Sequence, residues 1–246
     1  MQRSLNMLFA LAAYAVFFAT FLYLIVFVGD IPVTMRTVDY GPAAPLIEAL
    51  IIDIGLISLF GIQHSVMARQ GFKSWWTRVI PKETERSVYV LMASAVLLIL
   101  MNNWRPIDGI IWDVTNPVGE GVLWGLFGLG WLIVLVSTFL LNHFELFGLQ
   151  QAWLHLRGRQ AEPHQLRQPM FYKWVAHPLY SGFFLAFWAT PQMTAGHALL
   201  AGGMSVYMLI AIRYEERDLT QYYGEDYKRY RSGVGMILPR FGKRAG

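Results

Sequence analysis

The chain has 246 residues, no cysteine, and few charges: Asp, Glu, Lys and Arg make up 15% of it. Without cysteine there is no disulfide, no thiolate nucleophile and no cysteine-ligated metal. Metal-ligand spacing is also lacking, because His155, His164 and His177 stand in no HExxH-like relation, and His143 and Glu145, two residues apart, diverge on a helix. No metal is expected. No internal repeat, low-complexity tract or long linker interrupts the chain, which reads as a single integral membrane domain over 1–246. So little charge beside 55% hydrophobic residues excludes an ordinary soluble domain.

What is present is a series of long apolar runs. Residues 8–28 carry no charge, exceed the usual hydrophobic stretch of a signal peptide and are followed by no small-x-small cleavage site, so they read as a retained span. Further runs at 46–63, 88–103, 119–141, 177–191 and 196–212 give six crossings if both arms of the last hairpin traverse. Pro191, Gly196, Gly202 and Gly203 loosen that hairpin. The expected fold is an all-α polytopic membrane bundle of five to six transmembrane segments, with a C-terminal helical hairpin and a cytoplasmic tail.

Of the twenty Lys and Arg residues, all but Arg36 and Arg105 fall at Arg3, in the loops 64–87 and 142–176, or from Arg213 onward. The positive-inside rule then puts both termini in the cytoplasm, as expected for a bacterial inner-membrane protein. Topology and anionic lipid account for the net charge of +4, and no nucleic-acid partner is implied.

Polar clusters flank the last hairpin: His177-Pro178-Leu179-Tyr180-Ser181-Gly182 at its start, and Glu215-Glu216-Arg217-Asp218-Leu219 where it re-emerges. A backbone-rich turn opposite paired carboxylates suits a zwitterionic, cationic cofactor at a membrane surface. Before the turn lie Tyr172 and Lys173, which either belong to an interfacial aromatic belt with Trp174 or reach a cofactor carboxylate or ring. In the other half, Asp53 and His64 are eleven residues apart, almost three helical turns, and so share a face. Asp53 either bonds a neighbouring helix or serves a site. His64 and Tyr89 bracket one basic loop at similar membrane depth. The small residues Gly121, Gly125, Gly128 and Gly130 read chiefly as helix packing.

His177-Pro178-x-Tyr180-x-Gly182, Glu215-Glu216-x-x-Leu219, Gly224-x-x-Tyr227-x-x-Tyr230 and Pro239 together resemble the C-terminal signature of the isoprenylcysteine carboxyl methyltransferase and phospholipid methyltransferase superfamily. The first half carries His64-Ser65-x-Met67-Ala68-Arg69, Phe72-Lys73, Trp76-Thr77, Ile80-Pro81, Glu85-Arg86-Ser87-x-Tyr89 and Trp104-Arg105-Pro106-Ile107. It resembles the membrane methanethiol S-methyltransferases, which share an N-terminal module with a denitrification-associated family. The resemblance divides the chain into an N-terminal helical module, 1–145, and a cofactor-binding methyltransferase module, 146–246.

It implies S-adenosylmethionine as methyl donor, bound from the cytoplasm, and a small volatile thiol, methanethiol, as substrate, giving dimethyl sulfide. By analogy with the family, His177, Pro178, Leu179, Tyr180 and Gly182 contact the cofactor, and Glu215 and Glu216 face its charged parts. The family's residue before His-Pro is commonly Arg, whereas here it is Ala176, so Lys173 or Arg217 takes over a carboxylate contact. In-line transfer to a thiol needs alignment and a proton acceptor. The candidates are His64 or His143 as base, with Tyr89 and Asp218 in the same polar network. Two alternatives stay open: a methyltransferase for a larger lipid or prenylcysteine substrate, and a noncatalytic or transport component related to denitrification.

Overall fold

A computed structural model of the chain describes residues 1–160 and 169–240; His164 lies outside them. In chain order the elements are α1 (Gln2–Val28), α2 (Leu46–Ala68), α3 (Gln70–Trp76), α4 (Lys82–Asn103), β1 (Ile110–Asp113), α5 (Pro117–Leu141), α6 (His143–Leu146) and α7 (Leu149–Leu156). After a 3-10 turn at Met170–Lys173 come α8 (Pro178–Trp188), β2 (Gln192–Thr194), α9 (Ala195–Tyr223) and α10 (Glu225–Gly233). The protein is an all-α polytopic membrane bundle. Among the described residues, α1, α2, α4, α5 and α9 are long and apolar enough to cross a bilayer. Prolines mark where helices begin: Pro45 and Pro81 precede α2 and α4, and Pro117 and Pro178 open α5 and α8, where the missing N–H costs nothing.

The fifth apolar run, 177–191, behaves differently. Its helix, α8, has 11 residues, about 16 Å at the helical rise and well short of a hydrocarbon core of about 30 Å. α8 and α9 still make the C-terminal hairpin, and the indole Nε1 of Trp188 donates to Ser205 Oγ at 3.0 Å.

The chain forms two units. The first holds α1–α4, β1, α6, α7, β2 and α9 as far as Gly203. Its core includes Phe27, Val38, Leu100, Met101 and Trp104, all nearly inaccessible. α1 packs on α4 and α7, and α2 on α4. Ile47, Ile51, Ile54 and Ile62 lie exposed along α2, as a lipid-facing surface requires. Beyond the helix ends a small cap forms: β1 pairs antiparallel with β2, and Trp104 Nε1 donates to the Val38 carbonyl at 3.1 Å. The hydroxyl of Thr194 donates to Asp39.

Burial pushes the Asp39 carboxyl up to about 6 against that hydrogen bond, with Asp30 and Asp108 adding to the rise. Between the ordinary aspartate value and 6 the native state therefore binds more protons than the unfolded one, and stability falls as pH rises through that window. Asp39→Asn, which still accepts from Thr194, is expected to raise the thermal midpoint at pH 7.5. That gain is expected to be gone at pH 4, as thermal unfolding in detergent would read.

The second unit holds α5, the 3-10 turn, α8, α9 from Met204 and α10. Its central contact is α5 against α8, where two glycines let the backbones approach. A Cβ on Gly130 would stand 2.8 Å from the Gly182 carbonyl oxygen, and one on Gly182 would stand 2.7 Å from that of Gly130. Gly121, Gly125 and Gly128 have no such neighbour.

Candidate active site

In the second unit the His-Pro motif is fixed by its neighbours in sequence and by the chain's far end. Pro178 starts α8 with His177 just before it, buried. The tail then runs beside this corner: Ala176 N–H donates to the Gly235 carbonyl at 2.8 Å, His177 N–H to that of Met236 at 3.1 Å, and Ser181 Oγ to that of Ile237 at 2.6 Å. Helix α9 presents the carboxylates. His177 Nε2 lies 3.2 Å from Glu216 Oε1, and Nδ1 lies 3.9 Å from Glu215 Oε1. Both nitrogens of one buried imidazole thus face acidic side chains.

Glu216 also accepts from Arg231 Nε. Arg231 completes the cluster, and the sequence reading missed it. It sits on α10, after the turn at Gly224, whose φ of +58° reverses the chain. Only the backbone geometry of that turn reveals the pairing. A cleft beside the cluster is lined by Glu216, Arg217, Thr220 and Gln221.

The other assigned residues of this unit take distinct places. Tyr172 is buried and its carbonyl accepts from the Tyr230 hydroxyl at 2.8 Å, whereas Lys173 is exposed. Burial, with Glu215 and Tyr230 nearby, holds the Tyr172 hydroxyl well above the ordinary phenol range. Burial likewise pushes Tyr230 up to about 12, against the pull of Arg231. Neither phenol ionises at physiological pH. Tyr180 packs its ring against His177, with centroids 5.8 Å apart, and Leu179 is partly buried beside it. Gly182 faces Gly130 and Val134. Asp218 is exposed on α9, and Glu215 and Glu216 are half-buried.

The first unit contains two histidine–tyrosine pairs. His64 Nε2 and the Tyr89 hydroxyl lie 2.7 Å apart, joining α2 to α4. Arg86 stacks over the Tyr89 ring, its Cζ 4.9 Å from the centroid, while its Nε donates to the Leu146 carbonyl at 2.6 Å. The second pair is His143 Nε2 and the Tyr14 hydroxyl, 2.8 Å apart. His143 is buried, and burial holds its imidazole below the ordinary histidine value, so it stays neutral and able to accept a proton. Phe147 stacks on Phe17 with centroids 4.0 Å apart and packs against the Met67, Tyr89 and Val90 cluster. Tyr14 could not be found from spacing, since its partner is 129 residues away.

Asp53 is fully buried, and its Oδ1 accepts the Arg105 N–H at 2.9 Å, just past the end of α4. Asp53 and His64 do share the face turned to α4 and its following residues. Asp53 there satisfies the N–H of a residue that has already left the α4 hydrogen-bond ladder. Among the described residues no group of three or more His, Asp or Glu side chains could hold a metal ion.

No family model and no solved structure matches the chain. It is, however, 51% identical over 239 residues to the methanethiol S-methyltransferase of Mycobacterium tuberculosis, covering 97% of this chain and 98% of that protein. The chain belongs to the methanethiol S-methyltransferase family. The methanethiol S-methyltransferase of Crocosphaera subtropica is 45% identical over 245 residues, 100% of this chain and 96% of that protein. Nurim of Bos taurus is a more distant relative, 28% identical over 183 residues, 71% of this chain and 69% of its own. The family's full-length match takes in both halves of the chain, the His64–Tyr89 pair as well as the His177 cluster.

Proposed function

We propose that the protein methylates methanethiol to dimethyl sulfide with S-adenosylmethionine, at the cytoplasmic side of a bacterial inner membrane, with both termini cytoplasmic. The observation that carries the reading is the buried His177 held between Glu215 and Glu216 in a chain of this family. The distribution of Lys and Arg supports the orientation. The 146–246 module is taken as the cofactor-binding part.

The residues fit such a cofactor. Two half-buried carboxylates suit a cationic group, and the His177–Gly182 corner, with Tyr172 beside it, gives a buried imidazole and aromatic faces. Lys173 and Arg217 are the exposed cations for its carboxylate. When bound, S-adenosylmethionine supplies the methyl group that an in-line displacement by sulfur removes. The chain's part is to bind, to align and to take a proton. Even the cysteine thiol ionises only near about pH 8.5, and a simple alkyl thiol, without cysteine's electron-withdrawing backbone, ionises higher still, so a proton acceptor is needed near neutrality.

His64, paired at Nε2 with the Tyr89 hydroxyl, is the proposed acceptor, with the His143–Tyr14 pair as the alternative. Asp218, exposed on α9, is kept as a further candidate for moving a proton. Tyr89→Phe removes the hydroxyl while keeping the ring under Arg86, and is expected to lower kcat about tenfold with little change in cofactor affinity.

The deciding experiment is headspace detection of dimethyl sulfide from cells that express the protein and are fed methanethiol, followed by a substrate panel with purified protein. Dimethyl sulfide above the empty-vector level supports the reading. Methylation of prenylcysteine analogues or phospholipid amines with methanethiol untouched would overturn it. Calorimetry that finds no S-adenosylmethionine binding would instead favour a noncatalytic or transport role.

A further inference from the structure

Between α2 and α4 the first unit carries a short helix with one fixed edge and one open edge. Helix α3 has seven residues, about 10 Å at the helical rise, and packs on α2. Through α3 and the turn after it, Phe72, Trp75, Trp76 and Val79 recur at helical spacing, while Lys73, Ser74, Thr77 and Arg78 fall on the other side. The rings of Phe72, Trp75 and Trp76 form one plate, with centroids 5.5 to 5.9 Å apart. Its inner edge is held by Phe72, which packs against the Met67, Tyr89 and Val90 cluster. At the outer edge Trp75 is 53% and Val79 71% exposed.

Whatever covers that edge must match it in both polarity and charge. The apolar part continues a lipid-facing surface, since the exposed stripe of α2 runs on from Ile62 to Val66 in its last turn. The charge is of one sign. No Asp or Glu stands between Asp53 and Glu83, whereas Arg69, Lys73, Arg78 and Lys82 do. Arg78 and Lys82 are exposed, and among the described residues neither joins an ion pair. Apolar side chains beside uncompensated cations call for acyl chains beside anions. A zwitterionic bilayer supplies the first without net charge, and an acidic protein surface supplies only the second. Anionic phospholipid supplies both.

We infer that α3 and the turn to Lys82 form a docking surface for anionic phospholipid, with Trp75 and Val79 among the acyl chains and Arg78 and Lys82 at the head-group phosphates. Lipid held there also steadies Tyr89, because Phe72 belongs to the plate and packs on the cluster that seats the Tyr89 ring.

The test compares full-length protein in nanodiscs of phosphatidylcholine with the same protein in equal parts phosphatidylcholine and phosphatidylglycerol. The parent's thermal midpoint is expected to rise by a few degrees with phosphatidylglycerol and to lose that rise in high salt. Arg78→Gln combined with Lys82→Gln is expected to lose most of the rise while keeping the parent's midpoint in phosphatidylcholine. Lys228→Gln combined with Arg229→Gln removes the same charge from α10 and is expected to keep the rise. Acyl contact is read separately with phospholipid brominated in its chains, which quenches indole fluorescence. Trp75→Phe is expected to be quenched less than the parent.

A parent midpoint indifferent to phosphatidylglycerol would overturn the inference. So would a rise lost equally in the α10 variant, which would make it an effect of net charge. A rise reproduced by inorganic phosphate in phosphatidylcholine discs would make the ligand a free anion and overturn it too. A lowered midpoint of the Arg78 and Lys82 variant in phosphatidylcholine would show that the two cations serve the fold, and unchanged quenching in Trp75→Phe would put α3 off the bilayer; either result overturns the inference. None of these measurements involves S-adenosylmethionine or methanethiol, so the proposed function stands or falls apart from them.

Discussion

Glu216→Gln is expected to weaken S-adenosylmethionine binding about a hundredfold while lowering the thermal midpoint only slightly. The two effects separate because the amide keeps the shape of the side chain and an oxygen that can still accept from Arg231 and face His177. What it loses is the charge. In the parent protein Glu216 is one carboxylate shared by an imidazole and a guanidinium on a half-exposed helix face, so its contribution to folding is modest. Toward a cationic ligand the same charge acts beside a buried histidine, where water screens it less. A charged interaction of about 2–3 kcal/mol corresponds to the hundredfold loss. Calorimetry should find S-adenosylhomocysteine, with its neutral sulfur, weakened much less than the sulfonium. Equal losses would move Glu216 from the sulfur to the amino-acid end of the ligand. No loss would remove it from the site.

The long spans were legible because an uncharged run of bilayer length leaves the backbone no option but a helix. The apolar stretch 177–191 was the exception. It has the composition of a span, but Pro178 sets its start and the helix ends at Trp188, leaving the Ala189-Thr190-Pro191 segment before β2. The converse holds for α9, which continues from the apolar 196–212 run through Arg213, Glu215, Glu216 and Asp218 to Tyr223. Hydropathy ends that run at its first charges, although nothing in the helix propensity of those residues stops the helix there.

Within the site, the facing of His177 and Glu216 was readable from motif order, since a hairpin returns its second arm to the depth of its first. Arg231 was not, because its approach depends on the left-handed Gly224. The Tyr14–His143 pair was equally hidden. It joins two helices far apart in sequence, and neither residue stands in a pattern that singles it out.

Gly182 sharpens the difference between a motif and its physical role. The resemblance assigns it to the cofactor, whereas its backbone faces α5, where a Cβ would stand 2.7 Å from the Gly130 oxygen and 2.8 Å from the Val134 nitrogen. Both are main-chain atoms of a packed helix and cannot rotate away. Gly182→Ala is therefore expected to lower stability by about 3 kcal/mol or more, through overpacking at a helix crossing. Gly130→Ala meets the Ala186 nitrogen at 2.6 Å and is expected to cost as much. The double variant should lose less than the sum, because either methyl alone already separates α5 from α8. Since His177 immediately precedes α8, that separation carries it away from Glu216, and cofactor affinity falls in both single variants. A direct cofactor contact at Gly182 predicts a different pattern: lower affinity in Gly182→Ala with an unchanged midpoint, and no effect of Gly130→Ala on affinity. Thermal unfolding and calorimetry on the three variants distinguish the two. Gly130, which no motif assigns to the cofactor, decides between them, because only packing lets a methyl on α5 weaken a ligand held at the head of α8.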